Sequence, residues 1–103
     1  MKKIVLACAA GMSTSMLVSK MKKAALDEGI DVSVEAIPVA EVEDRLNENG
    51  IDVLLLGPQV RYMDAQMADL LKPKNIPHSI ISMQDYGMMN GKKVLKEALE
   101  LIK

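Results

Sequence analysis

The stretch IVLACAAGMSTSMLVSK, residues 4 to 20, holds the only cysteine of the chain, at the point where an apolar run breaks into Gly, Ser and Thr. The residues around this thiol suit nucleophilic chemistry. Ala9, Ala10, Gly11, Met12, Ser13, Thr14 and Ser15 make a loop of mostly small residues that leads directly into a helix. Successive backbone N–H groups in such a loop can turn toward the sulfur, and a helix start adds about half a positive charge. Five lysines and no Asp or Glu occur from Met1 to Leu26, the first acid being Asp27. Helices ordinarily favour carboxylates in their first turn, at about 0.3 to 1 kcal/mol each, and a capping box puts Glu or Gln three residues after the N-cap. Here those positions, Met16, Leu17 and Val18 after Ser13, Thr14 and Ser15, are apolar. The helix start is left open for an external anion, and the three hydroxyls can donate to a dianionic phosphoryl group. The same field favours thiolate over thiol, which predicts a nucleophilic Cys8. The competing reading is a small buried apolar residue at a strand end beside an ordinary turn.

Other reactive groups are sparse. One cysteine without C-x-x-C gives little basis for a redox role. The only histidine, His78, directly precedes a strand and so falls at the opposite edge of a parallel sheet from Cys8, which argues against a cysteine-histidine hydrolase. Gln59 and Tyr62, in GPQVRYM after the third strand, fall on the same edge as Cys8, as do Asp85 and Tyr86 after the fourth. Gln59 orients the loop, donates to phosphate, or is simply a turn residue bonding its own backbone, whereas Arg61 reads as a solvated helix-start residue. A cysteine followed by a phosphate loop and a helix also occurs in the low-molecular-weight phosphatases, with the pattern C-x5-R-[ST]. Thr14 stands six residues after Cys8, Ser15 comes next, and residues 8 to 19 contain no cation. Cleaving a phosphate ester needs charge stabilisation on the equatorial oxygens and an acid for the leaving group. Asp85 is the acid such a phosphatase would use. A loop without arginine is better suited to accepting an already activated phosphoryl group and passing it on.

The elements that must position these groups follow from hydrophobic periodicity. IVLA, VSVEA (32–36), VLLL (53–56) and SII (79–81) read as strands. Helices are predicted from residues 13–15 to 28, 38 to 49, around Met63, Met67, Leu70 and Leu71, and 91 to 102. Gly29 and Gly50 close the first two, and Pro73 stops the third. Strands 1 and 3 are apolar on both faces and belong in the centre, whereas VSVEA alternates and belongs at an edge. This gives a single α/β domain over residues 1–103, with a four-stranded parallel sheet of order 2-1-3-4 and helices on both faces. Cys8 then ends strand 1 at the point where strand order reverses, the usual ligand position in such sheets.

Composition sets the remaining bounds. The chain has 103 residues, 50% hydrophobic, with two tyrosines as its only aromatics and nine methionines. The core must therefore be aliphatic, and Met12, Met16, Met88 and Met89 are expected near the Cys8 edge, where thioethers suit unlike partners. A net charge of −1, with no basic run flanked by aromatics, argues against nucleic acid. The seven apolar residues after Met-Lys-Lys are too few to span a membrane, and a lone thiol suits the reducing cytosol.

IVLACAAGMSTSMLVSKM, DVLLLGPQVRYM, YG at 86–87 and GKKVLKEALELIK together resemble the enzyme IIB components of the bacterial sugar phosphotransferase system, in the lactose, cellobiose and chitobiose class. The resemblance covers nearly the whole chain. It implies that Cys8 takes a phosphoryl group from a phosphohistidine of the IIA protein and passes it to a sugar held by the membrane permease IIC. The implied sugar is a β-linked disaccharide such as cellobiose or chitobiose. Residues Ala9 to Ser15 would cradle the phosphate, with no metal or organic cofactor, in a cytosolic monomer that inserts in no membrane. A cysteine phosphatase and a non-catalytic anion-binding module are the alternatives.

Overall fold

A computed structural model describes residues 1–9 and 12–102. Four parallel strands, β1 (Lys2–Cys8), β2 (Val32–Pro38), β3 (Val53–Leu56) and β4 (His78–Ile80), lie in the order β2-β1-β3-β4. The helices are α1 (Met12–Asp27), α2 (Val42–Asn47), α3 (Asp64–Leu71), α4 (Met83–Gly87) and α5 (Gly91–Ile102), with short 3-10 turns at Val39–Glu41, Pro58–Met63 and Lys72–Lys74.

The central strands sort their side chains by the two-residue period of a pleat. Ile4 and Leu6 of β1, with Val53 and Leu55 of β3, face a core closed by Leu17, Met21 and Ala25 of α1 and Val94, Leu95 and Ala98 of α5. Val5, Ala7, Leu54 and Leu56 face a second core closed by Val42 and Leu46 of α2 and Met67 and Leu71 of α3. The two faces therefore bury separate clusters, and the apolar runs IVLA and VLLL are explained by burial on both sides. The edge strand β2 alternates, leaving Glu35 exposed and its side chain paired with Arg45. Pro38 ends this strand, where a missing N–H is tolerated.

Several details depart from the sequence expectation. The strand expected at 79–81 is assigned to His78–Ile80, although the Ile81 N–H still donates to the Leu56 carbonyl at 2.8 Å. The second helix is shorter than expected and begins as a 3-10 turn. It also closes at Asn49 (φ 56°) rather than Gly50: the Asn49 and Gly50 amides donate back to Leu46 and Arg45. Asn75 (φ 55°) does the same after the 3-10 turn that carries the third helix through Pro73. Asparagine takes the left-handed conformation more readily than other side-chain-bearing residues, so it replaces the glycine that Gly29 (φ 67°) supplies after α1.

Candidate functional site

The carboxyl ends of the strands share one edge of the sheet, and Cys8 ends β1 there, in register with Pro38. It is 2% exposed yet belongs to neither apolar core cluster. Its neighbour across the edge is Gly57, whose N–H donates to the Ala7 carbonyl at 2.9 Å. A Cβ placed on Gly57 would stand 3.6 Å from the Cys8 Cβ and 3.0 Å from Gln59 Oε1. The absence of a side chain at 57 thus leaves room for the Gln59 amide oxygen against the Gly57 backbone. The 3-10 turn Pro58–Met63 that carries Gln59 starts with proline at its first position, where the missing N–H costs nothing.

The loop expected to cradle phosphate is placed in part. Ala9 is exposed, and Ser15 is exposed on the first turn of α1, its carbonyl accepting from Ser19 Oγ at 3.2 Å. Ala10 and Gly11, and the side chains of Met12 and Ser13, lie outside the described residues. No acid occurs in the first turn of α1. Thr14 is fully buried, and its hydroxyl is hydrogen-bonded to the hydroxyl of Tyr86 at 3.1 Å.

Tyr86 reaches Thr14 because of α4, an element that periodicity did not predict. The Ser82 hydroxyl accepts from the Asp85 N–H at 3.1 Å and caps the helix. Serine followed three residues later by an acid is the signal that marks this start, and it is present in SMQD. Asp85 is buried, with Lys93 Nζ 3.5 Å from its carboxylate. The ring of Tyr86 forms one wall of a cleft of ≈ 250 Å³ whose other lining residues are Pro58, Gln59, Arg61, Met83 and Gly87. Tyr86 thus reaches α1 through Thr14 and Gln59 lies beside Gly57, whereas the Asp85 carboxylate faces Lys93 of α5. Tyr62 follows the same strand but points into solvent, 78% exposed.

His78 lies at the opposite end of the sheet, as expected, with Nε2 2.9 Å from Asp64 Oδ1. Of the methionines expected at the Cys8 edge, Met16 and Met88 are exposed, whereas Met89 is half-buried against the α1–α5 core. Among the described residues, no helix is long and apolar enough to cross a membrane.

The comparisons with known proteins agree with this geometry. The model of the lactose/cellobiose-specific IIB subunits of the PTS system matches residues 3–97. The cellobiose-specific EIIB component of Lactococcus lactis subsp. lactis is 51% identical, over 98% of this chain and 96% of that one. The galactose-specific EIIB component of L. lactis subsp. cremoris is 50% identical over the same shares. A solution structure of the cellobiose-specific IIB component from Borrelia burgdorferi superposes with a TM-score of 0.80 at 42% identity, covering 98% of this chain and 91% of that one. The chain thus belongs to the lactose/cellobiose-specific IIB family of the PTS, whose members are phosphotransferases.

Proposed function

We propose that Cys8 is the phosphoryl acceptor and that the loop from Ala9 to Ser15 cradles the group by its backbone amides. The donor is a phosphohistidine of a IIA protein. The thiolate attacks phosphorus, the S–P bond forms as the N–P bond breaks, and the imidazole leaves. The second transfer reverses the roles: a sugar hydroxyl bound by the membrane permease IIC attacks, its proton is released, and the thiolate is regenerated. The observation that carries this reading is the position of a lone thiol at the carboxyl end of β1, at the strand-order switch point, beside a helix with no acid in its first turn. A phosphohistidine is an activated donor, so the transfer needs no loop arginine of the kind used in ester cleavage.

The acceptor sugar is a β-linked disaccharide. The two cellobiose-specific relatives, at 51% and 42% identity, favour it, and a galactose-specific relative at 50% makes galactose the competing substrate. The protein acts as a cytosolic monomer of one domain.

Incubation with phosphorylated IIA, followed by intact-mass measurement, tests the proposal. One phosphoryl adduct, absent from Cys8→Ser, is the expected result. Repeated turnover of an aryl phosphate would instead make the protein a phosphatase, and neither reaction would leave an anion-binding module.

A further inference from the structure

We propose that the Tyr86 hydroxyl is a positioning group for phosphoryl transfer: through its bond to Thr14 it fixes how the first turn of α1 is set against the end of β1. This inference rests on the phosphocysteine reading above.

The two hydroxyls meet at 3.1 Å across 72 residues of sequence, in a buried setting where Thr14 is 0% and Tyr86 9% exposed. A buried hydroxyl must find a partner, and each of these finds the other. The ring of Tyr86 already packs in the α1–α5 core, so a phenylalanine would fill that volume equally well. The oxygen is therefore not needed to complete the packing. What it adds is direction, since a hydrogen bond constrains distance and angle where apolar contact does not.

The Tyr86 side of this bond is firmly held. Ser82 caps the start of α4, while at its end the Met88, Met89 and Asn90 amides donate back to the Gln84, Tyr86 and Asp85 carbonyls at 3.0, 3.2 and 2.9 Å. Lys93 of α5 faces the Asp85 carboxylate. Tyr86 thus stands on an anchored turn. The Thr14 side is a residue in the first turn of the helix whose amides must aim at the group on Cys8. A small error in that aim costs rate far more than it costs stability. Thr14 is one of the expected phosphate donors, and its hydroxyl bond to Tyr86 adds a role in the setting of the helix.

Single-turnover phosphorylation by phospho-IIA, with thermal melts on the same samples, tests the assignment. Tyr86→Phe, Thr14→Val, the double variant and Thr14→Ser are compared, with rates normalised to the folded fraction. All four are expected to form the Cys8 adduct. Tyr86→Phe and Thr14→Val should each lower the limiting rate about tenfold, with the half-saturating concentration of phospho-IIA unchanged. The double variant should be no slower than either single one, and Thr14→Ser should retain the original rate. An unchanged rate in Tyr86→Phe, multiplied losses in the double variant, or a loss that disappears on normalisation overturns the proposal. So does a raised half-saturating concentration at constant limiting rate, which would make Tyr86 a contact for IIA. Failure of the unsubstituted protein to take any phosphoryl group would instead overturn the phosphocysteine reading.

Discussion

Gly91 lies over the peptide that joins Lys20 to Met21: a Cβ on it would stand 2.6 Å from the Lys20 carbonyl carbon and 2.7 Å from the Met21 nitrogen. Both atoms are backbone in the middle of α1, so no side chain can swing away to make room. Gly91→Ala narrows the unfolded ensemble, a gain of about 0.4 to 1 kcal/mol at most, but must push α1 from α5. We expect a net loss of about 1 to 3 kcal/mol in urea unfolding. An unchanged midpoint would mean that the two helices separate without cost.

Lys93 and Asp85 form an unequal pair. The carboxylate is buried, whereas the lysine side chain is 57% exposed. Lys93→Met should therefore cost more than an ordinary surface substitution, about 1 to 3 kcal/mol, because it leaves a buried charge without its cation. In an Asp85→Asn background the same substitution should fall to within about 0.5 kcal/mol. Equal costs in both backgrounds, measured by chemical denaturation, would remove the pair as a stabilising element.

Glu35 and Arg45 are different, since both reach solvent and meet at 2.6 Å. The hydrogen bond from Arg45 holds the Glu35 carboxyl below its usual range and the guanidinium above its own. Because the folded value of Glu35 is depressed, its contribution is present above the unfolded carboxylate value, about 4.3, and is lost as pH falls through the folded value. A double-mutant cycle with Glu35→Gln and Arg45→Met should give a coupling of only about 0.2 to 1 kcal/mol at neutral pH. It should weaken with added salt and disappear once the carboxylate is protonated.

Asn49 and Asn75 hold the left-handed turns before β3 and β4. Replacing either by Ala should cost about 1 to 2 kcal/mol, the penalty of a Cβ in that conformation, and Asn75→Gly should be neutral or stabilising. Equal stability of the Ala and Gly variants at residue 75, by thermal melting, would contradict the assignment.

The sheet order was legible because burial leaves a strong imprint on composition. IVLA and VLLL carry no polar residue on either face, and VSVEA carries two. Helix stops were legible where glycine marks them, as at Gly29, and less so where asparagine does the work, as at Asn49 and Asn75. Helix α4 was missed because its five residues are too short for a 3.6-residue period to show. Its one local signal, Ser82 followed by Asp85, lies in a segment of low hydrophobic contrast. The loop after Cys8 stood out by what it lacks, an acid or an arginine. That Gln59 and Tyr86 approach the Cys8 edge followed from strand order alone. That Tyr62 turns outward and Tyr86 finds Thr14 depends on side-chain direction across 72 residues, which no local pattern carries.

The Thr14–Tyr86 bond, together with the crossing of Gly91 over Lys20, ties the thiol-bearing end of the chain to its last quarter. A ribosome making this protein from its amino end therefore exposes the cysteine and its loop long before the residues that brace them are synthesised. A nascent chain stalled ahead of Ser82 lacks both the tyrosine and the helix that covers Leu17 and Met21. The end of β1 that carries Cys8 acquires its finished surroundings only after this last quarter has been synthesised.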